Sequence, residues 1–140
     1  MSPDEPKIIV ALYLNGEHLD PDSVTREFGV VPSRAQKKGE RRVTSSGREV
    51  LVKQGSWAWS VELGSTSLDD HLARLIRSFP TGKPLSEIAN VEDAYIDVFV
   101  ALSSNLDGDA KCELDIKPDV LVSLAQLGLP IRMTVDVVRE

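Results

Sequence analysis

The residues best suited to chemistry are the cations between Val30 and Lys53. Arg34, Lys37, Lys38, Arg41, Arg42, Arg48 and Lys53 are seven of the 16 basic residues, and residues 34–53 hold only Glu40 and Glu49 as acids. The stretch carries +5 in a chain of formal net charge -6, which leaves -11 for the remainder. Arg34, Lys37, Lys38 and Arg41 gather around Gly39. A loop of this kind can grip a phosphate or an acidic patch on a protein: Arg offers a bidentate fork, Lys a point charge, and glycine lets backbone N–H groups turn toward an anion. The competing reading is a charged hairpin, because natural sheets guard exposed edges with Lys and Arg.

Carboxylates are the second resource. Glu62, Asp97, Glu113, Asp115 and Asp136 alternate with apolar residues. On strands they would share the face opposite Trp57, Val98, Leu114 and Val135. Such a face can dock on a basic protein, hold a divalent cation or supply an acid–base pair, although ordinary strand alternation also produces it. Tyr95 and Phe99 fall on the same face and suggest that something covers part of it.

Nucleophile and base pairs are poorly supplied. The two histidines are His18, in an expected turn, and His71, on the expected solvated side of a helix start; the lone Cys112 points inward by alternation. No phosphate-cradling glycine motif and no His or Cys cluster at metal-ligand spacing is present. No catalytic residue, metal or cofactor is therefore expected. Trp57 and Trp59 could form a stacking platform, but Val61 and Leu63 share their face, which favours core packing.

Composition narrows the classes further. A chain of 140 residues with 41% hydrophobic content fits one domain with a real core. Its acidic balance argues against a general nucleic-acid or membrane-surface binder. A single cysteine has no disulfide partner, and the N-terminal MSPDEPK carries acids where a secretory signal has positive charge. The expectation is a soluble cytoplasmic protein, monomeric or weakly dimeric.

The elements that must position these residues follow from periodicity. Residues 1–6 read as a disordered tail and residues 7–140 as a single domain. Ile8 to Leu14 is apolar at nearly every position, as an interior strand requires. Asp20 as N-cap, Pro21 at the first helical position and Gly29 as stop define a short helix burying Val24 and Phe28. An extended lead-in from Pro32 then leads to a hairpin of Arg41–Thr44 against Glu49–Lys53. Trp57 to Leu63 alternates cleanly as a strand. Ser67 caps a helix over Leu68–Phe79 that ends at Pro80, and Pro84 to Ala89 suggests one further helical turn. Asp93 to Ser103 forms a long strand, Asn105 to Gly108 a turn, and Ala110 to Ile116 a second strand. Pro118 opens a helix using Val120, Leu121, Leu124 and Ala125, Gly128 closes it, and Ile131 to Val137 make the last strand.

From Trp57 onward this order predicts an α+β two-layer sandwich with a mostly antiparallel sheet, a ferredoxin-like βαββαβ core over 57–138, and an N-terminal β-α-hairpin extension. The run LNGEHLDPDSVTREFGVVPSRAQKKGE, with Trp59 and Ser60, the DDHLARLIRSF helix and the closing LAQLGLPIRMTVDV, resembles the bacterial family called domain of unknown function 4279. Leu19, Asp20, Pro21, Pro32, Lys38, Gly39, Glu40 and Trp59 are its specific parts. The resemblance implies a small bacterial cytosolic protein without an assigned activity, and for some members an immunity role beside secreted toxins. It brings no catalytic residues. The leading expectation is thus a non-enzymatic protein-binding module whose acidic face meets a basic toxin. A sensor of a small anionic ligand using Arg34, Lys37, Lys38, Gly39 and Arg41 comes second, and an enzyme on the acidic face third.

Overall fold

The computed structural model describes residues 5–79, 85–88, 90–104 and 107–138. Most of the expected N-terminal tail, Pro80, Pro84, Ala89 and the Asn105 end of the expected turn lie outside the described residues.

The chain starts with β1 (Lys7–Gly16), whose Ile8, Val10, Leu12 and Leu14 are buried on one face. α1 (Pro21–Phe28) begins where the Asp20 side chain accepts from the Asp22 N–H, and it ends at Gly29 in the left-handed region. Next come β2 (Arg34–Gln36), β3 (Arg41–Val43), β4 (Glu49–Leu51) and β5 (Gly55–Val61). α2 (Leu68–Ser78) is capped by Ser67, whose side chain accepts from the Asp70 N–H. A 3₁₀ turn at Leu85–Glu87 stands where the further helical turn was expected. β6 (Asp93–Ser103), α3 (Pro118–Leu127) and β7 (Ile131–Val138) complete the order.

Five strands form one sheet in the order β2-β5-β1-β6-β7, and β3 pairs only with β4. β5 and β6 are both antiparallel to β1, so they run parallel to each other with β1 between them. The β5–α2–β6 unit is therefore a split crossover, whereas β6–α3–β7 joins adjacent parallel strands. The expected α+β class holds, and the sheet is mostly antiparallel, with β6–β7 its parallel pairing, but the ferredoxin-like βαββαβ order is not seen.

Two differences cause this. Ala110–Ile116 is not a strand. Ala110, Cys112, Leu114 and Ile116 do turn toward the core, but the backbone joins no ladder among the described residues. Alternation reports only that one side is dry, and an extended segment laid against a core satisfies it without a ladder. In addition, β1 lies in the middle of the sheet, as its interior-strand pattern suggests, and there it separates β5 from β6.

The helices cover one sheet face. Phe28, Trp57, Trp59 and Phe79 form an aromatic cluster there, with ring centroids 5.0 Å apart for Phe28–Phe79 and 5.9 Å for Trp57–Phe79. Trp57 Nε1 donates to Thr25 Oγ1 at 3.1 Å, which satisfies the one polar atom of a fully buried indole. The tryptophan strand starts at Gly55 and stops at Val61, so Leu63 is exposed and not part of the core. Of the apolar residues expected to bury α3, Val120 and Leu124 do so, while Leu121 and Ala125 face solvent.

His71 also departs from expectation: it is fully buried. Leu68, His71, Leu72 and Leu75 follow the i, i+3, i+4, i+7 spacing of a buried stripe. Its Nε2 accepts from the Leu63 N–H at 3.2 Å, so Nδ1 carries the proton donated to the Ser67 carbonyl at 2.8 Å. The imidazole is a structural connector between the end of β5 and the start of α2.

Gly16 faces Gly55 across the β1–β5 ladder. A Cβ on Gly16 would run into the carbonyl oxygen of Asn90, and one on Gly55 into that of Leu19. Because both obstacles are backbone atoms, neither site can give way by a rotamer change. Gly55→Ala and Gly16→Ala are each expected to lower stability by at least about 2 kcal/mol, seen as a reduced urea midpoint at unchanged m-value.

Candidate functional site

The sheet face opposite the helices is built in rows by register. One row runs Arg34, Ala58, Tyr13, Tyr95; the next runs Gln36, Ser56, Asn15, Asp93. Ala58 and Ser56 are small, so a hollow remains between the Arg34–Gln36 edge and the Tyr13–Asn15 strand. The β3–β4 hairpin folds over this hollow. Its neck is fixed where the Gly39 N–H donates to Val52 O at 2.9 Å and the Val52 N–H to Glu40 O at 2.8 Å. Arg42, Val50 and Val52 line the roof, Lys53 and Gln54 the rim, and the resulting cleft encloses about 370 Å³.

Two guanidiniums meet inside. With its amide oxygen turned toward them, Gln36 accepts from Arg42 Nη1 at 2.9 Å and from Arg34 Nη2 at 3.1 Å. Among the described residues, Arg34, Arg42 and Lys53 have no carboxylate within 4.0 Å. Like charges held together without a counterion repel, and an anion between them removes that cost. Tyr13 forms the inner wall and stacks on Tyr95, with centroids 5.2 Å apart. Burial first, then the Asp97 carboxylate and Tyr95, push the Tyr13 phenol above its ordinary 10.0, against the opposing pull of Arg34. The hydroxyl therefore keeps its proton and can donate.

The other cations of the expected loop are engaged elsewhere. Lys37 lies 3.8 Å from Asp20, Lys38 bonds Glu17 at 2.7 Å and Arg41 reaches Glu49 at 3.3 Å on the outer side of the hairpin. Gly39 has a positive φ of 92° and serves the turn that starts the hairpin. Only Arg34 of that set lines the cleft.

The acidic residues do not share one face. Asp97 and Asp136 lie on the open sheet face. Glu62 sits just past the end of β5 and pairs with Lys7 at 3.6 Å. Glu113 and Asp115 lie beside the start of α2, around a shallow hollow with Asp69 and Lys117, because their segment is not in the sheet. Among the described residues, no three His, Cys, Asp or Glu side chains come together as a metal site. No helix among them is long and apolar enough to cross a membrane.

The family model described as Domain of unknown function (DUF4279) matches residues 6–138. The chain belongs to this family. No curated protein and no solved structure matches it. The match takes in every strand and helix of the structure, so the cleft and the open face lie wholly inside the DUF4279 region.

Sequence reasoning about this DUF4279 member located the basic segment but missed Gln36, Arg42, Tyr13, Asn15 and Ser56 as cleft residues. The signal for Arg42 is not one the sequence shows. It lies in the tertiary contact and not in local pattern, because Val50 and Val52 share the side of Arg42 while the equally apolar Val43 and Leu51 share that of Arg41 and stay exposed. Gln36 and Tyr13 come together only through strand order, which no local pattern carries.

The Lys38–Glu17 pair ties the basic loop to the β1–α1 turn. The hydrogen bond from Lys38, then its charge, then His18 hold the Glu17 carboxyl below its ordinary 4.5. Its stabilising effect is therefore present above pH 4.5 and fades as pH falls through the lower folded-state value. Lys38→Met is expected to return Glu17 to the ordinary carboxylate range, measured by carboxyl-detected NMR titration, and to remove this pH dependence.

Proposed function

We propose that the protein is a non-enzymatic binding protein that takes up an anionic small molecule, carrying a phosphate or carboxylate group, in the cleft beneath the hairpin. The observation behind this reading is the meeting of Arg34 and Arg42 on the Gln36 amide, with no carboxylate among the described residues within 4.0 Å of them. Two guanidinium forks converging on one point recognise a tetrahedral or planar oxyanion bidentately, where lysines would supply only charge. Lys53 adds a third cation at the rim, and the protonated Tyr13 hydroxyl adds a neutral donor. The apolar roof of Val50 and Val52 suits a ligand with a non-polar or flat portion beside its anionic group.

A protein partner on the open sheet face is the second reading. Ile9, Tyr95 and Phe99 are half-buried there beside Asp97 and Asp136, a mixture suited to docking. The immunity role against a basic toxin belongs to this reading. The removal of Glu113 and Asp115 to the start of α2, and the pairing of Glu62 with Lys7, leave it fewer free acids than the sequence pattern suggested.

The test is a thermal-shift and calorimetric screen with inorganic phosphate, nucleoside monophosphates and di- and tricarboxylates. At least one class is expected to raise the melting temperature. Arg34→Ala and Arg42→Ala should each weaken its binding at least about tenfold, the scale of one lost charged hydrogen bond. Lys37→Ala and Arg41→Ala should leave binding nearly unchanged. Failure of every anion to bind, or equal losses in all four variants, would remove the cleft from consideration.

A further inference from the structure

The two edges of the sheet are treated differently. At one edge, β2 is three residues long and charged. At the other, β7 runs for eight residues, all of them exposed. Register with β6 places Ile131, Met133, Val135 and Val137 on the helix side, in line with the buried Ile96, Val98, Val100 and Leu102. Yet α3 lies against α2, and those four β7 side chains remain 39, 54, 55 and 48% exposed. A long apolar edge strand left bare invites pairing with another strand.

The backbone bonding restricts how a partner can add. The Ile96 N–H donates to Pro130 O, and the Ser104 N–H donates to Val138 O. In a parallel ladder alternate residues make the bonds. The even-numbered residues of β7 thus bond to β6, and the N–H and C=O groups of Ile131, Met133, Val135 and Val137 point to the free edge. An added antiparallel strand must set its own outward-bonding residues opposite these.

We propose that β7 is the interface between two copies of this chain, pairing antiparallel with the partner's β7 about a two-fold axis through Thr134. Among the allowed registers, this one places Arg132 opposite the partner's Asp136 and Asp136 opposite the partner's Arg132. A slip of two residues sets Arg132 against the partner's Thr134 or the partner's Val138 and leaves the charges unmatched. The complementarity is thus built into one strand, as a two-fold interface requires. Both charged pairs fall at non-hydrogen-bonded positions, where side chains approach most closely. Arg132 is held on the open face by stacking over the Tyr95 ring at 3.9 Å and by Asp93 at 3.8 Å. Asp136 has no cation within 4.0 Å among the described residues, so this carboxylate is unpaired until the second copy arrives. On the helix face Met133 meets the partner's Val135, and Ile131 meets the partner's Val137. The product is a continuous sheet of both copies with all helices on one side.

Sedimentation equilibrium of the full chain over a concentration series tests this. The wild type is expected to be a dimer. Arg132→Asp and Asp136→Arg should each raise the dimer dissociation constant at least about tenfold. The double variant R132D/D136R, which swaps the pair, should restore dimerisation. In a Cys112→Ser background, Thr134→Cys should give an oxidised covalent dimer, since cysteines facing each other at the axis meet disulfide geometry. A wild type that stays monomeric throughout, a dimer indifferent to both single charge changes, or a Thr134→Cys variant that does not cross-link would each overturn the proposal. Far-ultraviolet circular dichroism of each variant verifies the fold.

Discussion

The register of β1 is the constraint on which the rest depends. This strand has neighbours on both edges, and its even-numbered residues enter the helical layer while its odd-numbered ones face the open side. A slip by one residue would exchange the two sets and put Leu12 and Leu14 on the open face. Hydrophobic burial opposes that slip along the whole strand. The Gly16–Gly55 pair opposes it at one end, because only residues without a Cβ can lie beneath the carbonyls of Asn90 and Leu19. Once that register is set, the rows that carry Arg34, Gln36, Tyr13 and Tyr95 follow from it.

Much of the fold was legible wherever local chemistry fixes an element. Asp20 and Pro21 open α1 and Gly29 closes it, Ser67 caps α2, and Gly128 stops α3, each as the residue types imply. β6 runs from Asp93 to Ser103 as its alternation says. What was not legible was partnership. Ala110–Ile116 shows the alternation of a strand because one side is dry, but nothing in those residues says whether a strand or the core provides the cover. The polar neighbours of His71 suggest a solvated side chain, although its spacing from Leu68, Leu72 and Leu75 carries the opposite message.

The candidate site shows the same division. Composition found the basic segment, but it could not tell neutralised cations from bare ones. Lys38 and Glu17 stand 21 residues apart and meet only because the hairpin neck lies near the β1–α1 turn. Arg34 and Arg42 stay bare because their neighbours are Gln36, Ala58 and Val50. Apart from Asp97, which acts on the Tyr13 phenol, the acid excess elsewhere in the chain does little to this pocket where it lies beyond about 8 Å, since such charges are largely screened at physiological salt. An acidic protein can therefore keep a local place for an anion.

The hairpin pairs with itself and not with the main sheet. The floor of the cleft is locked into the ladder by the same residues that organise the core, whereas the roof hangs from a neck of a few hydrogen bonds. Substitutions at Arg42, Val50 or Val52 alter what the cleft admits without shifting any strand of the main sheet. Descent with modification can thus reshape the cleft on an unchanged scaffold, much as variable loops do on other rigid frames. In this architecture, diversification of the cleft is largely uncoupled from the stability of the domain that carries it.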